Sequence, residues 1–162
     1  MSRLKQTYAS EGFFGIGILN PEIEENIGTL WRSAYIMGAS FIFTIGSKKF
    51  KKQSSDVTHA WNKIPLYIHQ EFDEFYQSLP YSTQLVGVEM CEHSTSLHSF
   101  KHPLRSVYLL GSESCGLPEN VINKCHAIVS LPGNFSLNVA SAGSILIYDR
   151  VSKVPTSLPN RS

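Results

Sequence analysis

Polar residues that can take part in chemistry interrupt an apolar pattern near the N-terminus, in residues 26–32. Asn26 contributes an amide, Arg32 contributes a guanidinium, and Gly28 lies between them. A helix would place Gly28 and Arg32 on one face, because residues four apart are neighbours on a helix surface. Taken alone, Arg32 is more typical of a solvated helix residue. A role in binding or catalysis therefore depends on what the rest of the chain offers.

A second polar segment, residues 111–116, directly follows an apolar run at 107–110 that predicts a strand. Its two glycines flank the carboxylate of Glu113. In an α/β protein, backbone N–H groups and a carboxylate in this position lie at the carboxyl edge of the sheet, where ligands bind. We therefore expect Glu113 to lie beside a binding site.

The third segment, residues 131–138, runs from a strand end through a turn to the start of a helix. Ser136 and Asn138 can both cap that helix, since their side chains accept hydrogen bonds from free backbone N–H groups. A helix N-terminus of this kind favours a polar ligand. An ordinary strand–turn–helix connection explains the stretch equally well. The helix itself, 137–148, is small and apolar almost all round, which predicts burial and a close approach by a neighbouring element.

These segments belong to a chain in which predicted strands and helices alternate. Strands are predicted at 13–19, 41–45, 64–68, 84–89, 107–110 and 128–131, and helices within 22–39, 71–79, 118–124 and 137–148. This alternation predicts an α/β fold with a parallel sheet and helices on both faces. A length of 162 residues fits a single domain. We expect a core at about 13–152 and a tail at 153–162.

The composition is that of a soluble globular protein, with 42% hydrophobic and 17% charged residues. The sequence has no apolar run of the roughly 20 residues that span a membrane, and its N-terminus lacks the apolar core of a signal peptide, so we expect a cytoplasmic location. The cysteines are interpreted as reduced thiols, and no metal site is expected from their spacing. Surface positions are expected for three histidines, His93, His98 and His102.

A net charge of only +1 means that any basic surface for nucleic acid has to be local. The candidate is the polar loop 46–56, which carries Lys48, Lys49, Lys51 and Lys52. A simple solvated loop is the alternative interpretation. If the chain binds a nucleic acid, we expect these lysines to contact its phosphates.

Together, the three polar segments resemble the motifs of a known enzyme family. The matching patterns are Asn26-x-Gly28-x-x-x-Arg32-x-Ala34, Gly111-x-Glu113-x-x-Gly116-Leu117, and Leu131-Pro132 followed by Ser136-Leu137-Asn138-Val139. In this order and spacing they resemble the motifs of the SpoU-type RNA ribose 2′-O-methyltransferases of the SPOUT superfamily, over about residues 13–150. The resemblance implies S-adenosylmethionine as cofactor, a homodimer, and a six-stranded parallel sheet with a deep C-terminal trefoil knot. Elementary folding rules alone would exclude a knot, since knotted chains are rare.

The resemblance also implies roles for individual residues. It assigns Val88, Gly111, Leu131 and Ser136 to cofactor binding. It assigns Arg32 to contact with the reacting ribose, and Asn26, Glu113 and Asn138 to the polar surroundings of that ribose. Ala140 stands where the family often has a second serine, which leaves these positions undisturbed. Because no RNA-binding domain precedes Phe13, the chain looks most like the small members that methylate tRNA, and we expect tRNA rather than rRNA as substrate.

Two other interpretations compete with an enzyme. A catalytically silent RNA-binding relative would share the fold, but it would be free to lose Arg32, Glu113, Ser136 and Asn138, all of which are present here. An unrelated nucleotide-binding protein would need a glycine-rich phosphate loop after a strand, and the sequence contains none. The sequence therefore favours a methyltransferase.

Overall fold

A computed structural model describes residues 12–46, 63–134 and 136–154. The four lysines of the loop 46–56 lie outside these described residues. Within them the strands are β1 (Phe13–Leu19), β2 (Phe41–Ile45), β3 (Leu66–His69), β4 (Gln84–Val88), β5 (Thr95–Ser96), β6 (Arg105–Leu110) and β7 (Ala127–Ser130). They form one sheet in the order β3-β2-β1-β6-β4-β7-β5.

Every strand pair in this described sheet is parallel. The α/β class expected from the sequence is therefore confirmed. The sheet has seven described strands rather than the expected six, because the two-residue β5 pairs with β7 at one edge. A polar dipeptide in a loop-like stretch carries no strand pattern in sequence. The trefoil knot stays a prediction of the resemblance.

The α-helices of the described residues are α1 (Glu24–Ile36), α2 (Phe72–Gln77) and α3 (Glu119–Ile122), which lie between strands, and α4 (Val139–Lys153), which follows β7. Among the described residues, none of the helices is long and apolar enough to cross a membrane. Pro118 precedes α3 as its N-cap, and the left-handed Gly38 (φ 91°) follows α1. Pro118 stands at the predicted start of the helix 118–124, and Gly38 lies near the end of the predicted segment 22–39.

Alternate residues of the strands point to opposite faces of the sheet, so the sheet has a core on each side. On one side Ile16 and Ile18 of β1 pack with Leu30 of α1 and with Leu146 of α4. α1 and α4 lie very close together, because a Cβ on Gly143 would overlap a methyl group of Leu30. The predicted close approach to the backbone of α4 is thus made by α1. On the other side the core contains Phe43, Phe75, Leu109 and Val121.

At the amino ends of the strands, α4 continues past its apolar stretch and buries Arg150, which is 1% exposed. Its guanidinium donates hydrogen bonds to the carbonyl oxygens of Pro103 (2.7 Å) and Leu104 (2.8 Å) and to the hydroxyl of Tyr108 (3.0 Å). A buried charge is tolerable only when it is hydrogen-bonded. Arg150 therefore ties the end of α4 to the segment that enters β6.

The prediction of a surface position is wrong for His102, whose side chain is fully buried. Its Nδ1 is 2.7 Å from the Tyr108 hydroxyl and its Nε2 is 2.6 Å from Asp149 Oδ2. The sequence neighbours Lys101 and Pro103 gave no sign of burial, because the partners of His102 come from β6 and α4. Burial lowers the pKa of His102 below the usual 6.5, which outweighs the opposite effect of Asp149, and the nearby positive charges of Arg150 and Lys153 lower it further.

This lowered pKa predicts a loss of stability in mild acid. Below pH 6.5 the unfolded chain binds a proton at His102 that the folded chain binds less readily, so the free energy of unfolding falls as pH drops from 6.5 through the folded pKa. Urea unfolding between pH 7.5 and 5 should show a steeper pH dependence in the wild type than in His102→Gln, which cannot titrate there. Equal slopes in the two proteins would contradict the assignment.

Candidate functional site

The carboxyl ends of β4, β6 and β7 meet at one edge of the sheet and border a cavity of about 300 Å³. Parallel strands create such a site because the loops after them all leave the same edge. Three stretches contribute: residues 88–90 after β4, residues 110–116 after β6, and residues between Leu131 and Ala142 after β7. We call it the edge cavity.

All four residues assigned to cofactor binding from sequence line the edge cavity: Val88, Gly111, Leu131 and Ser136. Leu110, Leu137 and Val139 add apolar surface to the same wall. Ser136 does not cap α4; that position is taken by Asn138. The cavity thus combines an apolar wall with the backbone polar groups of the loops.

Residues 111–116, called the cavity loop below, close on themselves through the backbone N–H of Gly116, which donates to the carbonyl of Ser112 (3.2 Å). Gly111 faces this closure, and a Cβ there would overlap the backbone of Gly116. Gly116 itself has φ 66°, a left-handed conformation that favours glycine. Both glycines are therefore required by the shape of the cavity loop.

Glu89, which was predicted only as the last residue of a strand, fastens the base of the cavity loop. Its Oε2 accepts from the backbone N–H of Leu117 (2.8 Å), and its Oε1 accepts from the backbone N–H of Met90 (2.9 Å). The available sequence signal was a carboxylate at the carboxyl end of a buried strand. It identified no partner, because Leu117 is 28 residues away.

Asn26, Glu113 and Asn138 are brought together beside the edge cavity. Asn138 caps α4, since its Oδ1 accepts from the backbone N–H of Ser141 (3.1 Å). Its Nδ2 donates to Asn26 Oδ1 (3.0 Å), and Asn26 Nδ2 donates to Glu113 Oε1 (2.9 Å). Three of the four residues assigned to the reacting side are thus linked into one chain of hydrogen bonds, which we call the amide chain.

The pKa of Glu113 is below its usual value of 4.5. Partial burial raises this pKa, but hydrogen bonds to the carboxylate lower it by more. The donors are Asn26 Nδ2 and backbone N–H groups, including that of Glu22, which is 3.0 Å from Oε2. Glu113 is therefore ionised at neutral pH.

Arg32 does not join this cluster. It is exposed and makes no hydrogen bond or ion pair with the described residues, and it is not part of the cavity wall. Arg32 lies six positions after Asn26 on α1. This spacing displaces the two residues by about 9 Å along the helix axis and by about 120° around it. Gly28 and Arg32 share an exposed face of α1, as expected.

Within the part of the chain that the structure describes, no group of three or more His, Cys, Asp or Glu side chains is placed to hold a metal ion.

The sequence from residue 14 to 148 matches the SpoU rRNA Methylase family, so this chain belongs to that family. The match includes all three motif segments, the strands β4, β6 and β7, and α4 as far as Tyr148.

Individual relatives are distant in sequence. The mouse tRNA (guanosine(18)-2′-O)-methyltransferase TARBP1 is 27% identical over 133 residues, which cover 76% of this chain but only 8% of the mouse protein. A tRNA (cytidine(34)-2′-O)-methyltransferase of Ancylobacter novellus is 26% identical over 141 residues, covering 82% of this chain and 87% of that protein. The structure of the SpoU methyltransferase AviRb from Streptomyces viridochromogenes, in complex with AdoMet, superposes with a TM-score of 0.79. Its sequence is 24% identical, and the overlap covers 91% of this chain and 60% of AviRb.

The direction of the amide chain predicts the effect of Asn26→Asp. The new carboxylate still accepts from Asn138, but it replaces a donor to Glu113 by a negative charge. We expect the pKa of Glu113 to rise and the free energy of unfolding at pH 7 to fall by about 1–3 kcal/mol. Carboxylate NMR titration and urea unfolding measure the two effects. Asn134→Asp, an exposed change outside the cavity wall and the amide chain, is the control. A Glu113 pKa that does not move would contradict the geometry.

Proposed function

We propose that this protein transfers a methyl group from S-adenosylmethionine to a ribose 2′-hydroxyl of RNA, with tRNA as substrate. The observation that carries the proposal is the edge cavity, which the second and third motif segments line, with the amide chain beside it, which joins all three segments. The mouse and bacterial relatives, both tRNA 2′-O-methyltransferases by name, support the same substrate class. The mouse protein is far longer than this chain, whereas the bacterial one is of similar length.

The edge cavity fits the cofactor in chemistry and size. Leu110, Leu131 and Val139 provide an apolar wall for a flat adenine, and the backbone of the cavity loop offers polar groups to its edge. The carboxylates of Glu89 and Glu113, both in the wall, favour a ligand that carries positive charge. A volume of about 300 Å³ lies at the lower end for small-molecule sites.

When bound, S-adenosylmethionine supplies a methyl group on a positively charged sulfur, which is already activated for transfer. The protein therefore has to hold the ribose in line and assist departure of the hydroxyl proton. Glu113 is a weak base near neutral pH because its pKa is lowered. We assign it to orienting Asn26, and through it Asn138, rather than to accepting the proton. The guanidinium of Arg32 orients the ribose or an adjacent phosphate.

The position of Arg32 points to a homodimer in which the arginine serves the partner's cavity. On α1, Gly28, Arg32 and Ile36 are spaced four apart and exposed. On α4 and just before it, Leu137, Ile145 and Tyr148 are also exposed. We call these six residues the helix stripe. Ser144 Oγ donates to Ser33 Oγ (2.9 Å) between the two helices, so the two halves of the stripe belong to one surface.

Leu137 belongs both to the helix stripe and to the wall of the edge cavity. The cavity therefore opens beside the surface that a partner would cover. Exposed side chains of Ile36 (51%), Ile145 (44%) and Tyr148 (66%) are apolar surface that association would remove from water. A second protomer seated there would bring its own Arg32 near the cavity mouth.

The dimer is tested by breaking the helix stripe. Ile145→Asp together with Tyr148→Asp should give a monomer of 18.1 kDa in sedimentation equilibrium at micromolar concentration, whereas the wild type should have twice that mass. Burying two unpaired carboxylates costs more than a dimer interface can tolerate. Tyr81→Asp is the control, since Tyr81 is 92% exposed but lies outside the stripe. A monomeric wild type would contradict the proposed homodimer.

Methyl transfer is tested with Arg32→Ala and Gly111→Val. Arg32→Ala should bind S-adenosylmethionine within a few-fold of wild type in calorimetry, and single-turnover transfer to tRNA should fall about a hundredfold or more. Gly111→Val should lose cofactor binding, because the added carbons would push Gly116 out of the cavity loop. Nucleoside mass spectrometry should find a new 2′-O-methylnucleoside with the wild type alone.

Mixing the two inactive variants separates action within one protomer from action across the dimer. A mixed dimer pairs an intact cavity on the Arg32→Ala subunit with an intact arginine on the Gly111→Val subunit. Recovery of activity on co-refolding supports the arrangement across the dimer. No recovery, with mixed dimers demonstrated by mass spectrometry, would place Arg32 in its own subunit's reaction.

A further inference from the structure

The tip of the cavity loop is joined to the turn between β1 and α1 by hydrogen bonds in both directions. The backbone N–H of Glu22 donates to Glu113 Oε2 (3.0 Å). In return, the carboxylate of Glu22 accepts from the backbone N–H of Ser114 (3.3 Å) and from the Ser114 hydroxyl. Because each segment both donates and accepts, this two-way bridge fixes the orientation of the loop as well as its distance.

Glu22 does not line the edge cavity, although both residues that it contacts do. Its effect on a bound molecule would therefore pass through Ser114 and Glu113. The base of the cavity loop is held separately, by Glu89. Among the described residues, the tip at 113–115 is tied to the β1–α1 region by Glu22, by the backbone N–H of Ile23 and by Asn26.

The same turn leads directly into α1, which begins at Glu24 and carries Arg32. A helix of 13 residues moves as a unit, so a shift at its first turn is carried to Arg32. The bridge through Glu22 is thus a short physical link between the wall of the cavity and the helix assigned to the RNA.

We infer that Glu22 is a positioning residue that couples the cavity loop to α1. It holds Glu113 and Ser114 in register with the start of the helix, so that the wall of this cavity and the helix that presents Arg32 to the partner's cavity are positioned together. The inference rests on the proposed methyl transfer and adds to it a residue outside the cavity. Since Glu22 is exposed, its loss should affect the loop and turnover far more than overall stability.

Glu25→Ala is a matched control, because Glu25 is an exposed glutamate three residues away that makes no hydrogen bond with the described residues. In hydrogen exchange, the backbone amides of Glu22 and Ser114 should exchange about tenfold faster in Glu22→Ala than in Glu25→Ala. Glu22→Gln should lie between them, since its amide oxygen can still accept from Ser114. In methyl transfer at saturating RNA, kcat of Glu22→Ala should fall about tenfold or more, with KM for the cofactor within threefold. Glu22→Gln should recover most of that loss.

The outcomes separate the inference from the proposed function. If the wild type yields no 2′-O-methylnucleoside, the proposed function fails, while hydrogen exchange still reports on the bridge. If Glu22→Ala exchanges and turns over like Glu25→Ala, the bridge has no role. Faster exchange with an unchanged kcat would show that Glu22 holds the loop without coupling it to the reaction, which also overturns the inference. Faster exchange with a reduced kcat and partial rescue by Gln supports it.

Discussion

The direction of the amide chain is the constraint on which the candidate site depends. The first turn of α4 needs an acceptor, and Asn138 provides one with Oδ1. Its Nδ2 must then donate, which makes Asn26 Oδ1 the acceptor and turns Asn26 Nδ2 towards Glu113. Because the amide chain starts at a backbone N–H and ends on a carboxylate, the donor and the acceptor of every hydrogen bond in it are fixed. It joins three segments that are 87 and 112 residues apart in sequence.

The two ends of the parallel sheet have different roles. At the carboxyl ends the loops are polar, partly exposed and held by a few hydrogen bonds, which suits a site that has to receive a ligand. At the amino ends, Arg150 and His102 are buried in a dense network with Tyr108, Asp149 and backbone carbonyls. Because α4 takes part at both ends, through Asn138 and Arg150, it spans the fold from the site to its anchor.

The sequence predicts best what depends on local pattern. β1 and β2 have the bounds expected, because each is a short apolar run between clear breakers. α4 extends to Lys153, beyond the predicted end at 148, because a charged residue at 150 usually signals solvent, whereas here a set of carbonyl oxygens receives it. The burial of His102 was not predicted, for the same reason. Such partners come from tertiary contacts, which a pattern of neighbours does not contain.

The candidate site shows the same division. The wall residues Gly111 and Leu131 were predicted because the family motifs place them, and Asn26, Glu113 and Asn138 are indeed neighbours. Glu22 and Glu89 were missed, since their carboxylates bind residues that are far away in the sequence, Ser114 and Leu117 respectively. Motifs identify residues that contact a ligand more readily than residues that hold those contacts in place.

The geometry of α1 finally explains why Arg32 is separated from the cluster to which the motifs assign it. Asn26 has to face Glu113, while Leu30 and Ala34 have to face the core. With these three positions fixed, the helical period turns residues 28, 32 and 36 outwards. No rotation of α1 can bring Arg32 into its own cavity without exposing the core or breaking the amide chain. In the proposed dimer, this outward position is the one from which Arg32 would reach the partner's cavity, so the packing within one subunit and the proposal depend on the same constraint.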